Sequence, residues 1–160
     1  MKIKFFLAKF FSSLFYIGFI KKAPGTFGSI GAVILIYPFL QNITFYEQQY
    51  ILFATLFLGT IASAHYMEIT KKMDPKEIVI DEVLGVWLCI FINQYFAPEM
   101  QLEILVVASL VLFRFFDILK PFPINIIDSK MKNALGVMLD DVLAGIFASI
   151  VFVLAIKVLL

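Results

Sequence analysis

The sequence predicts an all-α polytopic membrane bundle of about five spans, preceded by an N-terminal interfacial amphipathic helix. Three observations predict it. Of 160 residues, 62% are hydrophobic and 16% aromatic, and mean hydropathy is +0.97; a soluble domain is nearer half apolar. The apolar residues form long runs without the polar–apolar alternation of a strand. The connections between runs alternate between lysine-rich and lysine-free. One domain covering residues 1–160 is the expectation for this length. A net charge of +1 gives no reason to expect a nucleic-acid partner.

The elements follow in chain order. The first twenty residues, "MKIKFFLAKFFSSLFYIGFI", look like a signal peptide. Lys9 interrupts the apolar part and no A-x-A-like site follows. A basic, Phe-rich helix lying in the interface is the better reading. Five apolar runs come next: 27–40, 50–67, 78–92, 102–119 and 142–160. A full span takes ~20 residues, so the short first and third runs need ends that are tilted, snorkelled or covered by protein.

The connections "KKAPG", "TKKMDPKE" and "KPFPINIIDSKMKNALG" carry the lysines, with Arg114 just inside a helix. The connections "QNITFYEQQ" and "NQYFAPEMQ" carry neither lysine nor arginine. Five antiparallel spans put every basic connection on one face, which the positive-inside rule makes cytoplasmic. Lys2, Lys4 and Lys9 fit an N-terminal helix on that face. Lys157, near the far end of the last run, snorkels.

The same fold-back gathers acids. Asp81 and Glu82 begin the third run, Asp117 ends the fourth, and Asp140 and Asp141 begin the fifth, in "GVMLDDVLAG". So many carboxylates repel one another unless a cation sits among them. Arg114, Asp117 and Lys120 follow at i, i+3 and share a helical face, and Pro121 then stops the helix. Gly85 follows Glu82 by three and Gly145 follows Asp141 by four, small residues that let helices approach closely. Oxygen ligands beside phosphate suit Mg²⁺. Arg114 and Lys120 suit a phosphate monoester. The helix start "APGTFGS" offers backbone N–H groups at Gly25 and hydroxyls from Thr26 and Ser29. At headgroup depth, these features point to phosphoryl chemistry on a lipid.

Plainer readings stand beside these. The paired acids also suit ordinary helix starts in the interface, and Arg114–Asp117 also suits a structural ion pair. Cys89, the single cysteine, cannot form an internal disulfide and reads as a packing residue. His65 reads as an interfacial or hydrogen-bonded residue, as does Glu68. Asp74 reads as a turn residue and Glu77 as a solvated helix start. Asp128 reads either as a loop charge or as a group behind the site. Trp87 and the phenylalanines read as packing or lipid-facing surface. Tyr16, Tyr37, Tyr66 and Tyr95 read as interfacial belt residues.

Four blocks, "KAPGTFGS", "IVIDEVLG", "FRFFDILKPFPI" followed by Asp128, and "GVMLDDVLAG", resemble the phosphatidylglycerophosphatase A family in content and order, over Lys22 to Gly145. The resemblance implies removal of the terminal phosphate of phosphatidylglycerophosphate, with Mg²⁺, at the bacterial inner membrane, from an active site on the cytoplasmic face. It implies that Asp81, Glu82, Asp117, Lys120, Asp140 and Asp141 are catalytic, with Arg114, Thr26 and Gly25 nearby. The expected metal ligands are Asp81, Glu82, Asp140 and Asp141. The expected phosphate-binding groups are Arg114, Lys120, Gly25, Thr26 and Ser29. Asp117 is read as either a ligand or a base toward water, with one or two metals. The expected partners are a phospholipid substrate and the membrane. The alternative reading is a small membrane transporter with an acidic cation-binding site. A histidine-based lipid phosphatase is excluded by the single histidine, and a CDP-alcohol phosphotransferase by the absence of its D-G-x2-A-R pattern.

Overall fold

The computed structural model describes residues 2–159. Positions 1 and 160, the outer limits of the expected domain and of the last run, lie outside the described residues. So does the expected place of the Lys2 side chain. Among the described residues, seven α-helices carry the fold: α1 (Lys2–Ser12), α2 (Pro24–Ile36), α3 (Phe45–Thr70), α4 (Ile80–Phe96), α5 (Leu102–Leu119), α6 (Ile124–Lys130) and α7 (Ala134–Leu159). No strand occurs among the described residues.

Helix α4 is the hub. Val83, Leu84, Val86, Trp87, Cys89 and Ile90 are all buried, and α2, α3, α5 and α7 pack around them. A helix that is apolar all round belongs in a core. The short third run is therefore covered by protein. Exposed apolar side chains, among them Ile34, Phe53, Phe57, Val107, Val111 and Leu154, lie on the surrounding helices. Such a surface is far more apolar than water tolerates and suits lipid.

Two helices, Phe45–Thr70 and Ala134–Val158, are long and apolar enough to cross a membrane by length and composition, and Pro24–Phe39 is a shorter apolar helical stretch. Helix α4 has only 17 residues. Helix α5 has 18 but includes Glu103, Arg114 and Asp117. The chain is all-helical and suited to membrane association; a count of five spans goes further than these two helices.

Several expectations are corrected. The N-terminal helix ends at Ser12, well short of residue 20. Ser13 Oγ donates to the Lys9 carbonyl at 2.6 Å and accepts from the Tyr16 N–H at 3.1 Å, local bonding that competes with the helix. Leu14, Phe15 and Tyr16 then take positive φ. Helix α1 rests against α3, with Ala8 packed beside Tyr66 and Met67. Tyr66 is thus a core residue, stacked on Phe5. Trp87 is likewise internal and donates to Gln48 Oε1 at 3.2 Å.

Two connections proved to be helical. In "QNITFYEQQ", Thr44 and Glu47 form a reciprocal capping box that starts α3. In "KPFPINIIDSKMKNALG", residues 124–130 form α6. The last helix begins at Ala134, eight residues before the expected 142, because Asn133 Oδ1 accepts from the Gly136 N–H at 2.8 Å and caps it. Asp140 and Asp141 therefore lie in its second turn and do not begin it.

Candidate active site

The site is built where α4 crosses α7. A Cβ placed on Gly145 would lie 2.6 Å from the Gly85 carbonyl oxygen, and one on Gly85 would lie 2.8 Å from the Asp141 carbonyl oxygen and strike the Phe113 ring. Only glycine permits this backbone approach. Asp81 precedes Gly85 by four residues, and Asp141 precedes Gly145 by four. One helical turn from the glycine contact, both helices thus carry a carboxylate, and the two acids flank one polar pocket.

That pocket encloses about 130 Å³ and is lined by all six residues expected to be catalytic: Asp81, Glu82, Asp117, Lys120, Asp140 and Asp141. Asp74, Asp128 and Lys132 line it as well. By sequence, Asp74 reads as a turn residue and Lys132 as part of a basic connection. Asp74, in the connection before α4, pairs with Lys132 at 3.2 Å, and Lys132 follows α6, whose helix turns its connection back over the acids. Its signal in the sequence was the i, i+4 spacing of Asp128 and Lys132, which stand 3.9 Å apart.

Lys120 is the pocket's central cation. It caps α5 in the left-handed region, with φ of 43°, so it leaves the face shared by Arg114 and Asp117; the expected i, i+3 row stops at Asp117. Its Nζ donates to Asp140 Oδ2 at 2.6 Å and Asp128 Oδ1 at 2.7 Å. Burial opposes the charge on Lys120, but these two bonds outweigh it and hold the ammonium above its ordinary range. Asp128 is the converse case. Burial would raise it, yet the bond from Lys120 and the charges of Lys120 and Lys132 leave it below its usual value.

Arg114, Gly25, Thr26 and Ser29 do not line the pocket. Arg114 NH1 bridges Glu82 Oε2 at 2.5 Å and Asp117 Oδ2 at 2.6 Å. Ser29, fully buried, donates to Glu82 Oε2 at 2.8 Å. Gly25 packs against the same pair, since a Cβ there would strike Glu82 and approach Arg114 NH1 at 3.2 Å. The start of α2 therefore braces Glu82 from behind. Arg114 and Asp117 do form the structural ion pair.

The free valences of the site belong to oxygen. Asp81 Oδ1, Asp140 Oδ1 and Asp141 Oδ2 are buried without a hydrogen-bond partner among the described residues. An unpartnered buried carboxylate oxygen is unfavourable unless something positive meets it. Oxygen-only donors fit a hard divalent cation. Among the described residues, no three His, Cys, Asp or Glu side chains stand, as placed, in an arrangement that could hold a metal ion; Lys120 and Arg114 occupy part of the carboxylate set. The volume suits a phosphate-sized group and is well below the several hundred Å³ that enclose a larger ligand.

Elsewhere, Cys89 is buried among Ser109, Asn93 and Ser149, a packing role. His65 is exposed, with Nδ1 3.0 Å from the Ile61 carbonyl oxygen. Glu77 pairs with Lys72 at 2.5 Å.

Comparison with known proteins shows the family. The family profile "Phosphatidylglycerophosphatase A" matches residues 10–156. The chain is 39% identical over 136 residues to phosphatidylglycerophosphatase A of Haemophilus influenzae, covering 84% of this chain and 79% of the relative. It is 31% identical to the protein of the same name in Escherichia coli, over 79% and 70% of the two chains. It is also 33% identical to a putative phosphatidylinositol-3-phosphatase of Bacteroides thetaiotaomicron, over 97% of both. No solved structure matches the chain.

Proposed function

Because the chain belongs to the phosphatidylglycerophosphatase A family, we propose that it removes the terminal phosphate monoester of phosphatidylglycerophosphate, with Mg²⁺, giving phosphatidylglycerol and phosphate. The chain is a phosphoric monoester hydrolase. The observation that carries the finer reading is the small pocket lined by Lys120 and by three aspartates, each of which keeps one buried carboxylate oxygen without a partner.

Asp81, Asp140 and Asp141 would hold the metal through those free oxygens, with Glu82 the fourth member, turned by Ser29 and Arg114. The chemistry supplied by a bound Mg²⁺ is polarisation of a phosphoryl oxygen and activation of water. Lys120 meets the non-bridging oxygens and offsets charge that builds in the transition state. Asp117, fixed by Arg114 at the pocket wall, orients or deprotonates the attacking water, or completes the ligand set. Arg114 acts on phosphate through Glu82 and Asp117, which it positions.

The topology that serves this chemistry has five spans, α2, α3, α4, α5 and α7, with α1 in the interface. The lysine-bearing connections and the pocket then share the cytoplasmic face of a bacterial inner membrane. The acids gather at one end of α4 and α7 and form no path along them, which favours hydrolysis over cation transport. The full-length match to a putative phosphatidylinositol-3-phosphatase favours a second reading, in which the same pocket takes the monoester of a phosphoinositide.

The test is phosphate release by the purified chain in detergent. Release from phosphatidylglycerophosphate with Mg²⁺, faster than from phosphatidylinositol 3-phosphate and abolished by excess chelator, is expected. The reverse preference selects the second reading. Undiminished release in chelator removes the metal, and no release from either lipid, with ion flux in vesicles, selects the transporter.

A further inference from the structure

A second cavity lies beside the polar pocket. It is an open groove of about 790 Å³ between α1 and α3, closed at its base by Ile80. Its lining is almost wholly apolar. On α3 it runs from Tyr50 to His65, about 22 Å at 1.5 Å per residue, somewhat longer than the roughly 15 Å of one hydrocarbon leaflet. Its floor is made of small residues, including Ala54, Gly59 and Ala62. Gly59 is buried, and a Cβ there would lie 2.8 Å from Met138 Cε and 3.4 Å from Ile80 Cγ1.

Three observations say what occupies it. Residues adjacent in the chain line the groove and the polar pocket. Ile80 lines the groove while Asp81 lines the pocket, and Met138, against the groove floor, follows pocket-lining Val137. The polar pocket takes only a phosphate-sized group, so the rest of a lipid substrate must lie outside it. The groove is also polarised like a lipid. Lys4 and His65, the basic side chains of its lining, suit a headgroup's negative charge, and the remainder is aliphatic and aromatic apart from the Thr55 and Tyr50 hydroxyls.

Resting on the lipid-phosphatase reading, we propose that this groove binds one acyl chain of the substrate, and so holds the phosphate ester beside Ile80 and Asp81. Burial of the chain in a preformed slot adds binding energy remote from the reacting phosphorus, the kind of contact that orients a substrate. It also makes turnover depend on acyl length, which the polar pocket alone does not.

The test uses the full chain with Ala54→Trp, which fills the groove from an exposed position, and Ala64→Trp, an exposed α3 position outside it, as the control. Phosphate release is measured on lipid phosphate monoesters with sixteen-carbon and six-carbon acyl chains in mixed micelles. In parallel, a diazirine-bearing sixteen-carbon lipid phosphate is photocrosslinked and the adducts mapped. Ala54→Trp should raise KM for the long-chain substrate about tenfold, the scale of displacing a couple of buried methylenes, with the short-chain substrate and the control unaffected. Wild-type adducts should fall on the groove lining, within residues 4–11 and 50–65 or at Ile80, and disappear in Ala54→Trp. Equal losses on both substrates, no loss on either, or adducts away from that lining overturn the groove. If the wild type releases no phosphate from either substrate, the phosphatase reading fails, and the adduct map still decides the groove.

Discussion

The backbone of Gly145 in α7 rests on the carbonyl of Gly85 in α4, and a Cβ at Gly145 would stand 2.6 Å from that oxygen. The contact sets how close Asp81 and Asp141 come, one turn away on each helix. Gly145→Ala is expected to separate the two helices and lower turnover at least tenfold, about 1.4 kcal/mol of barrier, although the new methyl touches no site residue. Turnover together with the thermal midpoint in detergent checks it; wild-type turnover would mean that the helix approach does not position the acids.

Asp81→Asn and Asp141→Asn keep the shape of the pocket and remove a charge whose oxygen has no partner. Each is expected to reduce turnover about a thousandfold, roughly 4 kcal/mol, with membrane insertion unchanged. Neither change should lower stability, because each relieves buried carboxylate repulsion. Near-normal turnover in either variant would remove that residue from the catalytic set.

Lys120 and Lys132 both line the pocket, but only Lys120 reaches Asp140. Lys120→Ala should therefore lower kcat by more than Lys132→Ala, with the exposed Lys157→Ala indistinguishable from wild type. Equal small losses at 120 and 132 would make both mere topology charges.

Arg114 is the partner of Glu82 and Asp117, with side-chain exposures of 16%, 10% and 12%. Arg114→Ala leaves two buried carboxylates without their cation and should lower stability by about 3 kcal/mol. Unfolding in detergent measures this, and Glu82→Gln in the same background should recover part of the loss. An unchanged midpoint would show that the pair contributes nothing net.

Asp128 has a native value below its ordinary 3.8. A depressed carboxylate contributes stability that is complete above the ordinary value and is lost as pH falls through the native one. The Lys120–Asp128 bond should therefore fail only in strong acid, below about pH 4. Asp128→Asn is expected to flatten the acid side of the stability curve, followed by helical circular dichroism between pH 5 and 2. An identical acid limb in the variant would show that the bond adds no pH-dependent stability.

Helical class, the apolar runs and the acids themselves were legible along the chain, because hydrophobicity and residue type are local properties. The fourth run, 102–119, coincides with α5, and every acid expected at the site lines one pocket. Less legible was where helices start. Thr44 with Glu47 and Asn133 with Gly136 set the starts of α3 and α7 through local side-chain hydrogen bonds inside stretches that read as connections.

By itself the amino-acid order determined that the molecule is an apolar helical bundle, and that carboxylates fall next to helix-packing glycines. Only tertiary structure decided which charges meet. It set Arg114 behind Glu82, turned Lys120 away from its own helix toward Asp140, and brought Asp128 and Lys132 over the pocket through α6. Pairing of charges depends on distances across helices, and those follow from backbone contacts such as Gly85 on Gly145, which no single segment encodes.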